Sequence, residues 1–180
     1  MGRFTVFLAI FAFCISTYAS GSQTRFILGE SKILSADEKV LYGTNVVLAK
    51  REYKLGLNEI WECALVIDSS RGTDVYNTSA KVTGSDFALS DEKGTYSGNG
   101  KLFGSPWNWS AWEFNVTLTD GSGTIYAFET FDPAGMTSYK TFKGPNGNIQ
   151  VVMREAFQDI SEATYKLLFK QLVPQGLSCK

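Results

Sequence analysis

The chain has 180 residues, of which 44% are hydrophobic, with 17 basic residues, 18 acidic residues and no histidine. No basic stripe stands out, so nucleic acid is not expected as a partner. Without histidine the chain lacks the usual general base at neutral pH, the Ser-His-Asp and Cys-His arrangements, and the commonest ligand of zinc and haem. We therefore expect neither a metal site nor a cofactor.

The N-terminus has the three-part layout of a secretory signal peptide. A short positive start, Met1 to Arg3, precedes an apolar run over residues 4–15, and small and polar residues follow to Gly21. The run is too short for a stable membrane anchor, and no later stretch is long and apolar enough to be one. We predict cleavage after Ala19, a signal peptide at 1–19, and a single domain at 20–180 that is secreted or periplasmic. Loss of Arg3 leaves 16 basic against 18 acidic residues, a net charge of −2.

The rest of the chain is typical of short strands separated by turns. Alternation is clearest from Trp112 to Leu118, where every second residue is large and apolar. Turn residues recur at about ten-residue intervals, and Asp120-Gly121 is the strongest hairpin signal. The predicted strands cover residues 25–34, 45–55, 60–67, 74–83, 94–103, 112–118, 124–131, 136–142 and 149–157. The glycines at 94, 98 and 100 lack the spacing of a phosphate-binding loop. We expect them instead to relieve steric crowding where a strand of the barrel bends.

The C-terminal segment can be interpreted in two ways. Tyr165, Leu167 and Phe169 alternate with polar residues, which favours a strand. Asp159 with Glu162 three residues later could instead cap a helix that runs to Leu172. Either way, the predicted fold class is all-β: an antiparallel meander closed into a barrel of about eight to ten strands, since closure removes exposed edges.

Two cysteines, Cys63 and Cys179, remain in the mature chain. In an oxidising compartment they could pair and attach the C-terminal tail to a strand. The alternative is that Cys63 is a core thiol and Cys179 is free.

The strongest candidate for a binding feature is the aromatic cluster Trp107, Trp109 and Trp112, which follows the turn-forming Gly104-Ser-Pro106. If Trp107 and Trp109 face the same way, Trp112 faces the other way unless a bulge intervenes. The cluster could form the wall of a pocket that stacks on a small molecule, or it could plug one end of the barrel.

Ionisable residues inside the predicted strands are a second signal. Arg154 and Glu155 are neighbours in mid-strand, so one of them should point inward. Glu62 and Glu129 lie in similar apolar surroundings. Each charge either faces solvent or needs a buried partner, because an unpaired buried charge is costly.

The segment Gly98-Asn-Gly-Lys-Leu-Phe-Gly104, the tryptophan cluster after it and Asp120-Gly121 resemble the calycin superfamily of lipocalin-like secreted barrels. The resemblance covers most of the mature chain as a rhythm of strands. It implies a cup-shaped barrel that commonly holds a small hydrophobic molecule. The chain has no Gly-x-Trp motif near the start of its mature part, so no functional residue is transferred.

Three functions are compatible with these features. The first is a non-enzymatic binding protein for a small hydrophobic ligand, contacted by Trp107, Trp109, Trp112 and Phe128, with Arg154 or Glu155 orienting a polar end. The second is a histidine-free, metal-independent isomerase or cyclase that uses an inward carboxylate as base. The third is a solid-cored barrel that acts through its surface.

Overall fold

The computed structural model describes residues 22–41, 44–68, 72–94, 96–105, 108–118, 123–132, 136–143 and 146–179. The predicted signal peptide, Trp107 and the Asp120-Gly121 hairpin turn lie outside the described residues. No helix among the described residues is long and apolar enough to cross a membrane.

Ten antiparallel strands follow one another around a closed barrel, and the first strand pairs with the last through a register that includes Ile27 opposite Asp159. The predicted all-β barrel is therefore confirmed. The strands are β1 Ser22–Ser35, β2 Asn45–Lys54, β3 Glu59–Asp68, β4 Gly72–Thr83, β5 Asp86–Asp91, β6 Tyr96–Ser105, β7 Asn108–Leu118, β8 Gly123–Asp132, β9 Thr137–Lys143 and β10 Ile149–Asp159. A short 3₁₀ turn, Leu55–Leu57, joins β2 to β3, and helix α1 spans Glu162–Leu172.

The sequence prediction missed strand β5. Its six residues lie among polar turn residues, yet Phe87 and Leu89 alternate with exposed residues and point into the core. The strand pairs with both β4 and β6, so it completes the barrel despite its length.

The favoured prediction of a C-terminal strand was wrong, because the segment is helix α1. Ser161, and not Asp159, is the N-cap, and its hydroxyl accepts a hydrogen bond from the Thr164 amide at 3.1 Å. The buried Tyr165 and the partly buried Leu168 and Phe169 have helical spacing and share one face. Leu167, which a strand would have placed on the same face as Tyr165, is exposed.

Helix α1 covers an apolar patch on the outside of the barrel. The patch consists of buried residues that point away from the interior: Leu48, Cys63, Leu65 and Val75. Tyr165 packs on Phe26 with ring centroids 5.1 Å apart. The structure also joins Cys63 to Cys179 in a disulfide, with Cα atoms 5.6 Å apart, so the tail after α1 is attached to β3.

The barrel interior contains two separate apolar clusters. The larger one is rich in aromatic residues and includes Tyr53, Phe87, Tyr96, Trp112, Phe114 and Phe142. The smaller one consists of Ile27, Val47, Ala49, Ala64 and Phe157, with Val66 and Met136 packed against it. What lies between them is polar.

Candidate functional site

Charged side chains separate the two apolar clusters inside the barrel. On β2, Arg51 lies between Tyr53 of the larger cluster and Ala49 of the smaller one. The same order recurs on β3 with Glu62 and on β10 with Glu155. On β9, Lys140 lies between Phe142 of the larger cluster and the buried Ser138. Together with Glu129 of β8 these residues form what we call the charge belt: Arg51, Glu62, Glu129, Lys140 and Glu155.

One ion pair of the belt joins neighbouring strands. Arg51 and Glu62 are directly opposite each other in the β2–β3 register, and the guanidinium donates two hydrogen bonds to Oε2 of Glu62, one of them from Nε at 2.7 Å. Burial raises the pKa of Glu62 even though the guanidinium of Arg51 opposes the rise. Both side chains are buried, so loss of either one would leave the other as an uncompensated buried charge.

Lys140 holds the other side of the belt. Its Nζ donates a hydrogen bond to Oε2 of Glu155 at 2.5 Å and lies 3.3 Å from Oε1 of Glu129. The hydroxyl of Ser138 donates a second hydrogen bond to the same Glu155 oxygen at 2.6 Å. The charges of Lys140 and Glu155 also act on Glu62, although two strands separate β3 from β10 in the sheet. The two halves of the belt therefore meet through the interior.

Glu129 is a strongly perturbed carboxyl group of the belt. Burial raises its pKa to about 8, and the negative charge of Glu155 adds to the effect, while Lys140 and the hydrogen bond from Trp112 oppose it. The indole Nε1 of Trp112 donates that bond to Oε2. Glu129 is consequently mostly protonated at neutral pH and able to ionise just above it.

Two carboxyl oxygens of the belt have hydrogen-bonding capacity to spare. Oε1 of Glu155 accepts no hydrogen bond from any described residue. Oε1 of Glu129 lies near the Lys140 ammonium but accepts no aligned hydrogen bond from the described chain. Buried acceptors are nearly always bonded, so each of these oxygens calls for a donor from water or from a ligand.

The structure distributes the predicted site residues over both faces of the barrel. Trp112 and Glu155 point inward, and Trp112 packs on Phe87 and Phe114 with ring centroids 5.2 and 5.1 Å away. Phe128 lies on the outer face against Phe103, with ring centroids 6.5 Å apart.

Arg154 is exposed and pairs with Glu38 on the outside at 2.7 Å. Trp109 belongs to β7, and a bulge between it and Ala111 shifts the register of β6 and β7. Among the predicted residues whose side chains are described, Glu62, Glu129 and Glu155 belong to the charge belt and Trp112 contacts it. Arg154 and Phe128 do not point into the interior.

Sequence reasoning did not single out Arg51 and Lys140, although a signal for both was present. Arg51 has the same two-residue spacing as Val47, Ala49 and Tyr53, and Lys140 has that spacing relative to Phe142. A cation in phase with buried apolar residues must point inward with them. Applied to every strand, that rule would have found both residues.

The fold and the site define a class: a closed ten-stranded antiparallel barrel with a buried charge cluster between two apolar regions. No family model, curated protein or solved structure matches the chain. In the described part of the chain, no group of three histidine, cysteine or acidic side chains could hold a metal ion.

Proposed function

We propose that the protein is an exported, lipocalin-like binding protein that holds a small hydrophobic molecule inside the barrel, with a hydrogen-bond-donating group of the ligand at the charge belt. Secretion or delivery to the periplasm rests on the signal-peptide pattern of residues 1–19. Formation of the Cys63–Cys179 disulfide is compatible with an oxidising compartment.

The observation that carries the proposal is the unsatisfied Oε1 of Glu155. A side chain this well buried does not normally leave a carboxyl oxygen without a donor. Its neighbours along β10 are Met153 of the larger apolar cluster and Phe157 of the smaller one. A ligand with an apolar body and one hydroxyl or amino group would match both surroundings.

Ligand identification from the natural source provides the first test. We expect the mature protein purified from its native host to carry a small amphiphilic molecule that mass spectrometry identifies. A panel of fatty alcohols, sterols and pigments should then include a class that quenches tryptophan fluorescence with 1:1 stoichiometry. Phenylalanine in place of Trp112 should remove most of the quenching.

Two variants distinguish ligand binding at the charge belt from nonspecific binding of the ligand to the protein surface. Glu155→Gln turns a carboxylate into an amide at the proposed contact, so we expect affinity to fall by about tenfold or more. Glu30→Gln removes an exposed carboxylate on β1 and should not change the affinity. The proposal fails if no apolar class binds, or if the two variants weaken binding equally.

Glu129 favours a second candidate, the histidine-free isomerase or cyclase. A carboxyl group with a pKa of about 8 can donate a proton at neutral pH, and Glu155 supplies a second carboxyl group that shares the contact with Lys140. The enzyme hypothesis predicts that the molecule recovered from the host is converted to an isomer by fresh protein. It also predicts that Glu129→Gln abolishes the conversion.

A further inference from the structure

We infer that the charge belt selects an organic cation, so that the preferred ligand is an amphiphile with a primary ammonium group placed between Glu129 and Glu155. The inference rests on the proposed binding function and names the chemical class of the ligand for that same site. It follows from the charges, the free acceptors and the apolar surroundings of the belt.

When all five groups are ionised, the belt carries one more negative charge than positive charges. Glu62, Glu129 and Glu155 supply three negative charges when ionised, whereas Arg51 and Lys140 supply two positive ones, so the sum is −1. The guanidinium of Arg51 is used by Glu62, and Lys140 bonds Glu155. Glu129 is therefore the carboxyl group without a cation of its own, because among the described residues it shares Lys140, at 3.3 Å, with Glu155.

The number of free acceptors suits an ammonium group. An ammonium has three N–H donors and needs several acceptors at once. Within the belt, Oε1 of Glu129 and Oε1 of Glu155 accept no hydrogen bond from the described residues. Both carboxyl groups contact Lys140, and each has its other oxygen bonded already. A neutral hydroxyl group has one donor and so serves one oxygen, whereas an ammonium has enough donors for both.

A proton and the ammonium ligand compete for the negative charge of the Glu129 carboxylate. The groups that face Glu129 are Trp112 from β7, Ser138 and Lys140 from β9 and Glu155 from β10, with Arg51 and Glu62 completing the belt. In the empty protein Glu129 holds a proton up to a pH of about 8. Binding of an ammonium ligand should release that proton, because a buried ion pair replaces the neutral acid.

Three probes of equal chain length test the inference: decylamine, decan-1-ol and decanoic acid, each below its critical micelle concentration. In isothermal titration calorimetry at pH 8 we expect decylamine to bind at least tenfold more tightly than decan-1-ol, and decanoic acid to bind most weakly. Below pH 8 the affinity for decylamine should fall by roughly tenfold per pH unit, while that for decan-1-ol stays constant. Titrations at pH 7 in phosphate and in Tris should show release of about one proton per decylamine.

The Glu129→Gln variant separates charge selection from general binding. It should bind decylamine and decan-1-ol with equal affinity and release no proton, whereas the control Glu30→Gln keeps the wild-type preference. If the alcohol binds as tightly as the amine to wild type, the cation inference is overturned and the binding function stands. If none of the three probes binds, the binding function fails with it. Loss of both amine and alcohol binding in a folded Glu129→Gln protein also overturns the inference, since only the charge was to be removed.

Discussion

The indole Nε1 of Trp112 donates a hydrogen bond to the carboxyl group of Glu129 in the barrel interior, where Trp112 is 2% and Glu129 0% exposed. The two residues are directly opposite each other in the β7–β8 register. An aromatic side chain of the larger apolar cluster therefore touches the one carboxyl group of the belt that has no cation of its own. Because of this contact, the fluorescence of Trp112 should depend on whether Glu129 is ionised.

The first prediction concerns tryptophan fluorescence. Ionisation of Glu129 places a charge next to the Trp112 ring in a medium of low dielectric constant, so the emission should change with a midpoint near pH 8. Trp112→Phe should remove this transition. Trp61→Phe is the matched control, because its indole bonds Glu59 at 3.0 Å on the exposed face. Persistence of the transition without Trp112 would show that another group causes it.

The second prediction concerns the pH dependence of stability. The pKa of Glu129 rises from an ordinary value of 4.5 to about 8 on folding, so between these values the folded state holds a proton that the unfolded state lacks. The free energy of unfolding should therefore decrease as pH increases through this window, by up to about 1.4 kcal/mol per pH unit. Urea unfolding at a series of pH values measures the slope.

Glu129→Gln should flatten that slope because an amide does not titrate. Some slope should remain, since burial also raises the pKa of Glu62. We expect the variant to gain stability relative to wild type between pH 6 and pH 9, and the exposed control Glu30→Gln to follow wild type. A wild-type stability that increases with pH over this range would refute a protonated Glu129.

The third prediction concerns the Arg51–Glu62 pair. Arg51→Met leaves the buried Glu62 without its guanidinium, so unfolding should become easier by about 3–5 kcal/mol. Adding Glu62→Leu removes the orphaned charge, and the double variant should recover most of that loss. Chemical denaturation gives both free energies. Equal instability of the single and double variants would mean that packing, and not charge pairing, determines the cost.

The fourth prediction concerns the glycines of β6. A Cβ atom at Gly100 would collide with the Glu113 carbonyl oxygen and lie 2.8 Å from Phe114 Cα, both in the backbone of β7. Gly100→Ala should therefore reduce the free energy of unfolding by about 2 kcal/mol or more. Gly56→Ala is the control, because no atom lies within 4 Å of the added Cβ. The account of the close approach is wrong if the two substitutions have the same effect.

The fifth prediction concerns the disulfide. It joins two residues that are 116 positions apart and holds the tail beside helix α1, so its reduction should lower the free energy of unfolding by about 2–4 kcal/mol. Thermal unfolding with and without dithiothreitol measures the change. Cys179→Ala should show the lower stability in both conditions. If dithiothreitol destabilised Cys179→Ala as much as wild type, the reductant would be acting on something other than this disulfide.

Much of the barrel follows from the sequence because alternation and turn residues act locally. The pattern from Trp112 to Leu118 predicted β7, and nine predicted strands have counterparts in the fold. Two elements did not follow. In β5 the alternating residues were few. In α1 the alternation of Tyr165, Leu167 and Phe169 favoured a strand, whereas packing of Tyr165 over the patch of Leu65 and Val75 selects the helix.

The site was less predictable than the fold, because it depends on which strands meet. Glu155 could be seen to lie in mid-strand, but its contact with Lys140 requires the register of β9 and β10. The Trp112–Glu129 bond likewise requires the pairing of β7 with β8. Alternation along a strand indicates whether a charged side chain points inward, whereas the identity of its partner depends on how the strands pair in the closed barrel.

A high-resolution crystal structure of the protein purified from its native host would show whether an amphiphile occupies the barrel interior beside Glu155. We predict electron density for a bound amphiphile in the interior, with a nitrogen or oxygen atom about 3 Å from Oε1 of Glu155. The contrary result is an interior filled by side chains, in which that oxygen is bonded to a protein group or to a single enclosed water molecule.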